Sequence, residues 1–170
     1  LKEMGYSEIY SEKVVVSLES GLEAGARDVR YQALNKVFEE TSSTHIYLGH
    51  TFNDQAETVL LGLARGSGAR SLSGMADING HYIRPFLSIT RDVSESACRD
   101  AQLEYWSDPH NLNTEFSRVR IREDVIPFLE KKLDPGVSKA LVRSAALLRD
   151  DADALDQWAE REIEKLSLGD

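Results

Sequence analysis

The chain has 170 residues, 41% of them hydrophobic, 29% charged and 8% aromatic, and its 20 basic and 29 acidic side chains give a formal net charge of −9. This balance excludes a strongly basic nucleic-acid module but leaves room for a local basic site, and no apolar run approaches the ~18 residues of a membrane span. The single cysteine, Cys98, excludes an internal disulfide and a CxxC motif, so we expect one domain, or one domain with a small appendage, in the reducing cytoplasm.

The first two thirds of the chain alternates between strand-like and helix-like patterns. The predicted elements are a strand at 13–18, a helix at 22–40, a strand at 45–49, a helix at 51–65, a Gly- and Ser-rich loop at 66–80, a strand at 82–87 and a helix at 90–101. Pro85 restricts the third strand to a sheet edge or a strand end. Short links between alternating strands and helices predict an α/β fold with a parallel sheet.

The last third of the chain is predicted to be helical. From Phe116 onward apolar residues recur at helical spacing, and Asp134 with Pro135 predicts the N-cap and first position of a helix of about 30 residues. Seven acidic and two basic residues between 150 and 165 carry much of the negative charge. We place a domain boundary near residue 112, between an α/β domain at 1–112 and a helical domain or linker at 113–170.

The segment from Gly49 to Thr58 is the strongest candidate for chemistry. It lies where a strand ends and a helix begins, which is where open α/β sheets bind ligands. Thr51 and Asp54 have the spacing of a capping box, while Asp54 and Glu57 are three residues apart and can meet one cation such as Mg²⁺ or an ammonium group. The alternative is that Asp54 only caps the helix, Glu57 is solvated and His50 is a packing residue.

Arginines form two further candidates. Arg27 lies three residues before Arg30, and the two can hold a phosphate or carboxylate, or else form a solvated helix face. Three alternating arginines can contact a phosphate backbone, or can face solvent beside neighbouring acids; they are Arg118, Arg120 and Arg122. Trp106 and Trp158 are predicted to be packing anchors rather than base-stacking platforms.

Taken together, the motifs resemble one family, the tRNA(Ile)-lysidine synthetases of the PP-loop ATP pyrophosphatase group. The resemblance covers roughly residues 1–150 and rests on a series of motifs in one order: AR-x-x-RY (26–31), GH…DQAET (49–58), RG-x-G (65–68), Gly74-Met75, RPFL (84–87), Trp106…Asp108…Asn111 and R-x-R-IR…IP-x-L (118–129). It implies a PP-loop type of parallel sheet, incomplete at its N-terminus, followed by a helical part.

The resemblance also implies an activity. Family members use ATP and Mg²⁺ to adenylate carbon 2 of the wobble cytidine in an isoleucine tRNA, and the amine of L-lysine then displaces AMP. By this resemblance Asp54, His50 and Arg27 are the catalytic residues, and Asp54 and Glu57 bind lysine or Mg²⁺. The three arginines at 118, 120 and 122 bind tRNA, and the enzyme is a monomer or homodimer.

Two departures from the family pattern bear on this expectation. The Ser-Gly-Gly-x-Asp-Ser phosphate loop, which members carry before the strand predicted at 13–18, is not in this sequence, so we expect an N-terminally truncated portion that binds ATP weakly by itself. Members also tend to read His-His-x-Asp-Asp-Gln, where this chain has Thr51 and Asn53 in place of the second His and the first Asp. Asp54 is then the residue left for a metal.

Two other functions remain open from the sequence. One is a related ATP pyrophosphatase that thiolates tRNA or amidates another substrate, although thiolating relatives commonly carry the CxxC pairs that a single cysteine cannot supply. The other is a non-catalytic module that binds tRNA or a partner protein.

Overall fold

The computed structural model describes residues 4–16 and 22–167. Its helices and strands, in chain order, are α1 (Leu22–Glu40), β1 (Ile46–Tyr47), α2 (Phe52–Ala64), α3 (Ala69–Leu72), β2 (Ile78–Asn79), β3 (Tyr82–Ile83), α4 (Arg91–Asp100), a 3-10 helix (Pro109–Leu112), α5 (Ser117–Arg120), a π-helix (Ile121–Val125), α6 (Ile126–Lys132) and α7 (Val137–Ser167). In these ranges no helix combines the length and the apolar character needed to cross a membrane.

These elements fall into two compact units. The first comprises residues 1–47 and 80–83, and the second comprises residues 48–79 and 84–170. In the first unit β1 and β3 pair in parallel, with Ile46 opposite Tyr82 and Tyr47 opposite Ile83, which confirms a parallel arrangement of these two strands. The Ile46 N–H donates to the carbonyl of His81 at 2.8 Å.

The strand predicted at 13–18 is wrong for the part that the structure describes. Residues 13–16 have no strand conformation, and Val15 is 87% exposed, whereas residues 17 and 18 lie outside the described ranges. A run of β-branched residues forms a strand only where a neighbouring strand satisfies its backbone groups. The described part of this run has no such neighbour.

The predicted helices at 22–40, 51–65 and 90–101 are confirmed as α1, α2 and α4. The predicted loop at 66–80 instead contains α3 and β2, and the third strand stops at Ile83, before the turn that includes Pro85. Within the second unit α7 packs against α2 and α3, and the π-helix also contacts α2. The domain boundary near residue 112 stays a prediction.

The start of α7 differs from the prediction. The helix begins at Val137, and its first backbone N–H groups are capped by a side chain from α6 rather than by Asp134. The Glu130 carboxylate accepts hydrogen bonds from the N–H of Gly136 and from the N–H and hydroxyl of Ser138. These bonds lower the pKa of Glu130 to about 2.

Candidate active site

Asp54 lies in the first turn of α2, and its carboxylate holds the start of that helix. One oxygen accepts hydrogen bonds from the Thr51 backbone N–H at 2.8 Å and from the Thr51 hydroxyl at 2.7 Å, which confirms the predicted capping pair. Arg91 Nη2 and Arg122 Nη2 lie 3.7 and 3.9 Å from the other oxygen. Burial raises the pKa of Asp54, but the Thr51 hydrogen bonds and the charges of Arg91 and His50 outweigh it, so this pKa lies below its ordinary value.

Glu57 lies one turn further along α2 and is completely buried, with 0% of its surface exposed. Its two carboxylate oxygens accept hydrogen bonds from Arg122 Nε at 2.6 Å and from Arg122 Nη2 at 3.1 Å. Arg118 Nη1 lies 3.9 Å from the same carboxylate. The Nη2 atom of Arg118 donates a hydrogen bond to the Thr58 hydroxyl at 3.1 Å. The alternative of a solvated Glu57 is therefore wrong, and Arg122 forms the two-pronged pair that a planar guanidinium favours.

Arg122 is the residue that joins the two carboxylates. Burial lowers the pKa of Arg122, but the hydrogen bond and charge of Glu57, with the charge of Asp54, raise it overall. The predicted common face of Asp54 and Glu57 is confirmed, since both lie within 4 Å of this guanidinium. Two acids one helical turn apart thus share one partly buried guanidinium.

The three arginines predicted to bind tRNA have different surroundings. Arg118 and Arg122 are partly buried and turn toward Glu57, whereas Arg120 is exposed. Arg120 Nη1 donates to the carbonyls of Thr114 and Glu115 at 2.8 Å each, which ties the preceding loop to α5. Contact of these side chains with tRNA stays a prediction.

His50 and Arg27 belong to different units. His50 precedes α2 and is close enough to Asp54 for its charge to lower the pKa of that carboxyl group. Arg27 is exposed on α1 in the first unit, where its guanidinium lies 4.9 Å from the centre of the Tyr31 ring, with Arg30 at 5.5 Å from the same ring. The predicted grouping of this motif on one helix is confirmed, and the catalytic roles of His50 and Arg27 stay predictions.

Arg91 is a member of the site that sequence reasoning missed. Its backbone N–H donates to Asn53 Oδ1 at 2.9 Å, and its guanidinium faces Asp54. It stands at the start of α4, 37 residues beyond Asp54, outside every motif that the sequence offered. No local signal could have found it, because the contact depends on how α4 packs.

The metal role predicted for Asp54 depends on the groups that surround its carboxylate. Across 4–16 and 22–167 no three acidic, histidine or cysteine side chains are grouped so that they could hold a metal ion. Asp54 accepts two hydrogen bonds and faces two arginines, and both oxygens of Glu57 are bonded to Arg122. Proteins commonly bind Mg²⁺ through one or two carboxylates together with substrate phosphates and water, so the metal role of Asp54 stays a prediction.

A second buried contact holds the other side of α2. The Gln55 amide donates to the Met75 carbonyl at 2.8 Å and accepts from the Met75 N–H at 2.7 Å. Gly74 has a φ of +64°, and a Cβ there would lie 2.8 Å from Gln55 Oε1, so a larger residue would be strained and would displace the Gln55 amide. Arg149 from α7 donates to the carbonyls of Ser73 and Gly74. This explains the Gly74-Met75 pair in the motif series.

Comparison with known proteins bears on what this site does. Residues 5–129 match the family model described as the PP-loop domain. The chain belongs to the PP-loop domain family. The cluster of Asp54, Glu57 and Arg122 lies in the matched part.

Relatives with curated names fall close to this chain within the PP-loop family. The chain is 47% identical over 169 residues to the tRNA(Ile)-lysidine synthase of Thermobifida fusca, covering 99% of this chain and 52% of that protein. It is 49% identical to the synthase of the same name from Streptomyces coelicolor, covering 95% and 47%, and 51% identical to that of Rhodococcus erythropolis, covering 82% and 42%. The chain thus spans about half the length of these relatives.

A solved structure supports the PP-loop fold. The U34-tRNA thiolase NcsA from Methanococcus maripaludis superposes with a TM-score of 0.56 at 22% identity, covering 73% of this chain and 43% of that one. At this identity the likeness concerns the fold alone.

Proposed function

We propose that this chain takes part in the ATP-dependent ligation of L-lysine to the wobble cytidine of an isoleucine tRNA. The observation that carries the proposal is the identity of 47–51% to three tRNA(Ile)-lysidine synthases over 82–99% of this chain. The carboxylate–arginine cluster at the start of α2 supplies groups suited to that reaction. The proposal places the protein in the cytoplasm, where tRNA and L-lysine are its substrates.

The two steps of the reaction need protein groups of opposite charge. In the first, the oxygen on carbon 2 of cytosine attacks the α-phosphate of ATP, and pyrophosphate leaves. In the second, the lysine amine bonds to carbon 2, the carbon–oxygen bond breaks, and AMP leaves with that oxygen. The first step develops negative charge at phosphorus, and the second requires the amine to lose protons.

Asp54 and the guanidiniums beside it match these needs. A carboxylate whose pKa is lowered stays ionised near neutral pH, so Asp54 is able to hold the lysine ammonium group by its charge, although the same lowered pKa makes it a weak proton acceptor. Arg91 and Arg122, within 4 Å of that carboxylate, are placed to stabilise negative charge on a phosphate nearby. In this proposal His50, in its neutral form, serves as the proton acceptor, and Arg27 contacts an ATP phosphate.

We assign Glu57 a positioning role in place of the substrate-binding role expected from the sequence. Its burial and its two hydrogen bonds to Arg122 fix the plane and direction of that guanidinium. Among the three arginines of the motif, Arg120 is the exposed one, and we propose it as the contact to the tRNA backbone. Mg²⁺ enters the proposal only as the partner of the ATP phosphates, and no residue of this chain is assigned to it.

A chimaeric enzyme tests the proposed function. The 170-residue sequence replaces the matching segment of the Thermobifida fusca relative, and incorporation of labelled lysine into isoleucine tRNA is measured with ATP present and absent. We expect ATP-dependent incorporation with release of pyrophosphate. The parent enzyme serves as the control. A folded chimaera that releases no pyrophosphate and incorporates no lysine, beside an active parent, would contradict the proposal and favour a non-catalytic module.

A further inference from the structure

A cavity of about 420 Å³ lies in the second unit, between α4 and the segment that leads into the 3-10 helix. Its lining includes Tyr105 and Trp106 from that segment, Arg91 and Cys98 from α4, and Arg122 from the π-helix. This volume falls in the range of small-molecule sites. Its two arginines, Arg91 and Arg122, belong to the candidate active site.

The aromatic side chains of this cavity face solvent. Trp106 is 79% exposed and Tyr105 is 52% exposed, so the prediction that Trp106 is a packing anchor is wrong. An exposed indole ring forgoes the free energy that its burial would contribute, and a ligand that covers the ring regains that free energy. Because every base has a flat π-face, exposed aromatic rings are the usual stacking platforms for unpaired bases of RNA.

The arginines link the cavity to the reacting groups. Arg91 and Arg122 both line the cavity and both lie within 4 Å of Asp54. A ligand that reaches these guanidiniums from the cavity is therefore within a few ångströms of the Asp54 carboxylate. Guanidinium groups stack on bases and bind phosphate oxygens. The arginine side of the cavity therefore suits a nucleotide, as the side with the aromatic rings also does.

We propose that this cavity receives the target base, a cytosine in an unpaired stretch of RNA, stacked on the Trp106 ring. The inference rests on the proposed function and names the place where its base is held. The base plane covers the exposed indole, and Arg91 contacts the base or its phosphate. The cavity also includes Glu95 and Glu123, which suit an ammonium group, so the amino acid lysine is the competing occupant that the test must distinguish.

Fluorescence provides a direct test, because the chain has two tryptophans. Trp158→Phe removes the other one, which lies on α7 and does not line the cavity. The 170-residue variant is titrated with a trinucleotide carrying a central cytidine, and we expect saturable quenching of Trp106. Absence of quenching at millimolar trinucleotide overturns the inference. Saturable quenching by L-lysine, with competition against the trinucleotide, overturns it in favour of an amino-acid site.

Substitution of the ring gives the second test. Trp106→Ala should weaken trinucleotide binding about 10-fold or more, measured by anisotropy of a labelled oligonucleotide, since stacking on an aromatic ring is lost. Trp106→Phe keeps a stacking surface and should stay within about 3-fold, while Trp158→Ala is the matched control and should change nothing. Circular dichroism checks that each variant is folded. Equal affinity for Trp106→Ala and the unaltered chain contradicts the inference.

The chimaera described above separates this inference from the proposed function. Trp106→Ala in that enzyme should raise the KM for tRNA and leave the KM for lysine within about 2-fold. Lysine incorporation that is insensitive to Trp106→Ala contradicts the base site and leaves the proposed function standing. Quenching of Trp106 by the trinucleotide in the 170-residue Trp158→Phe variant, together with a chimaera that never incorporates lysine, supports the base site and contradicts the proposed function.

Discussion

Replacing Arg122 with methionine should destabilise the fold strongly, because it leaves the Glu57 carboxylate buried without its partner. Glu57 is 0% exposed, so water cannot replace the two hydrogen bonds at 2.6 and 3.1 Å. Removing one partner of a buried pair costs about 3–5 kcal/mol. Arg118 remains 3.9 Å from the carboxylate, beyond hydrogen-bond distance but close enough to attract it. We therefore expect Arg122→Met to lower the free energy of unfolding by about 3 kcal/mol, the lower end of that range.

The reverse substitution should cost less. In Glu57→Leu the Arg122 side chain, which is 20% exposed, keeps access to water and lies 3.9 Å from Asp54, so the loss should be about 1–3 kcal/mol. In the double variant no buried charge is left unpaired, and its cost should be smaller than that of Arg122→Met alone. The asymmetry between the two single variants follows directly from their different burial.

Urea unfolding followed by far-ultraviolet circular dichroism measures these differences in the free energy of unfolding. Tryptophan fluorescence is less suitable, since Trp106 and Trp158 are already largely exposed in the folded state. Arg161→Met on the exposed part of α7 is the matched control and should stay within about 0.5 kcal/mol of the unaltered chain. A loss below about 1 kcal/mol for Arg122→Met, or two single losses that simply add in the double variant, would contradict a stabilising pair between Arg122 and Glu57.

Three further predictions follow from other contacts. The ionised Glu130 cap contributes stability that is complete above a pH of about 4.5 and is lost as the pH falls through about 2. In urea titrations Glu130→Gln should therefore lower the free energy of unfolding by about 1 kcal/mol at neutral pH and by much less at pH ~2. Gly74→Ala should lower stability by about 1–3 kcal/mol in the same assay, because its Cβ meets the Gln55 amide; an unchanged midpoint would contradict the contact. Arg120→Ala in the chimaera should reduce the slope of tRNA affinity against salt by about 1, and an unchanged slope would leave Arg120 a purely structural residue.

The local parts of this structure could be predicted from the sequence, since the signals lie within a few residues. The capping pair of Thr51 and Asp54, and the helix that follows it, are fixed by side chains three residues apart. The start of α7 was missed because its cap comes from Glu130, on the preceding helix, rather than from the adjacent Asp134. A local pattern identifies a helix more reliably than it identifies the group that satisfies the helix end.

The surroundings of the site depended on contacts that no pattern encodes. The sequence offered Glu57 as a ligand of lysine or Mg²⁺, or else as a solvated acid, whereas its actual partner Arg122 is 65 residues away in the chain. The same packing turns Arg118 inward and leaves Arg120 exposed, although the three arginines alternate evenly in the sequence. Because aromatic residues are commonly core residues, the sequence favoured the prediction that Trp106 is buried. The fold instead places Trp106 at the edge of a cavity.

The rate of lysine incorporation by the chimaera carrying Asp54→Asn tests the central claim most directly. Removing the charge of a group that stabilises the transition state should lower the rate about 10²–10³-fold, while the weakened cap costs only about 0.5–2 kcal/mol of stability. Asp92→Asn, an exposed acid in the first turn of α4, is the matched control and should leave the rate unchanged. A near-normal rate for Asp54→Asn in a folded enzyme would contradict the account.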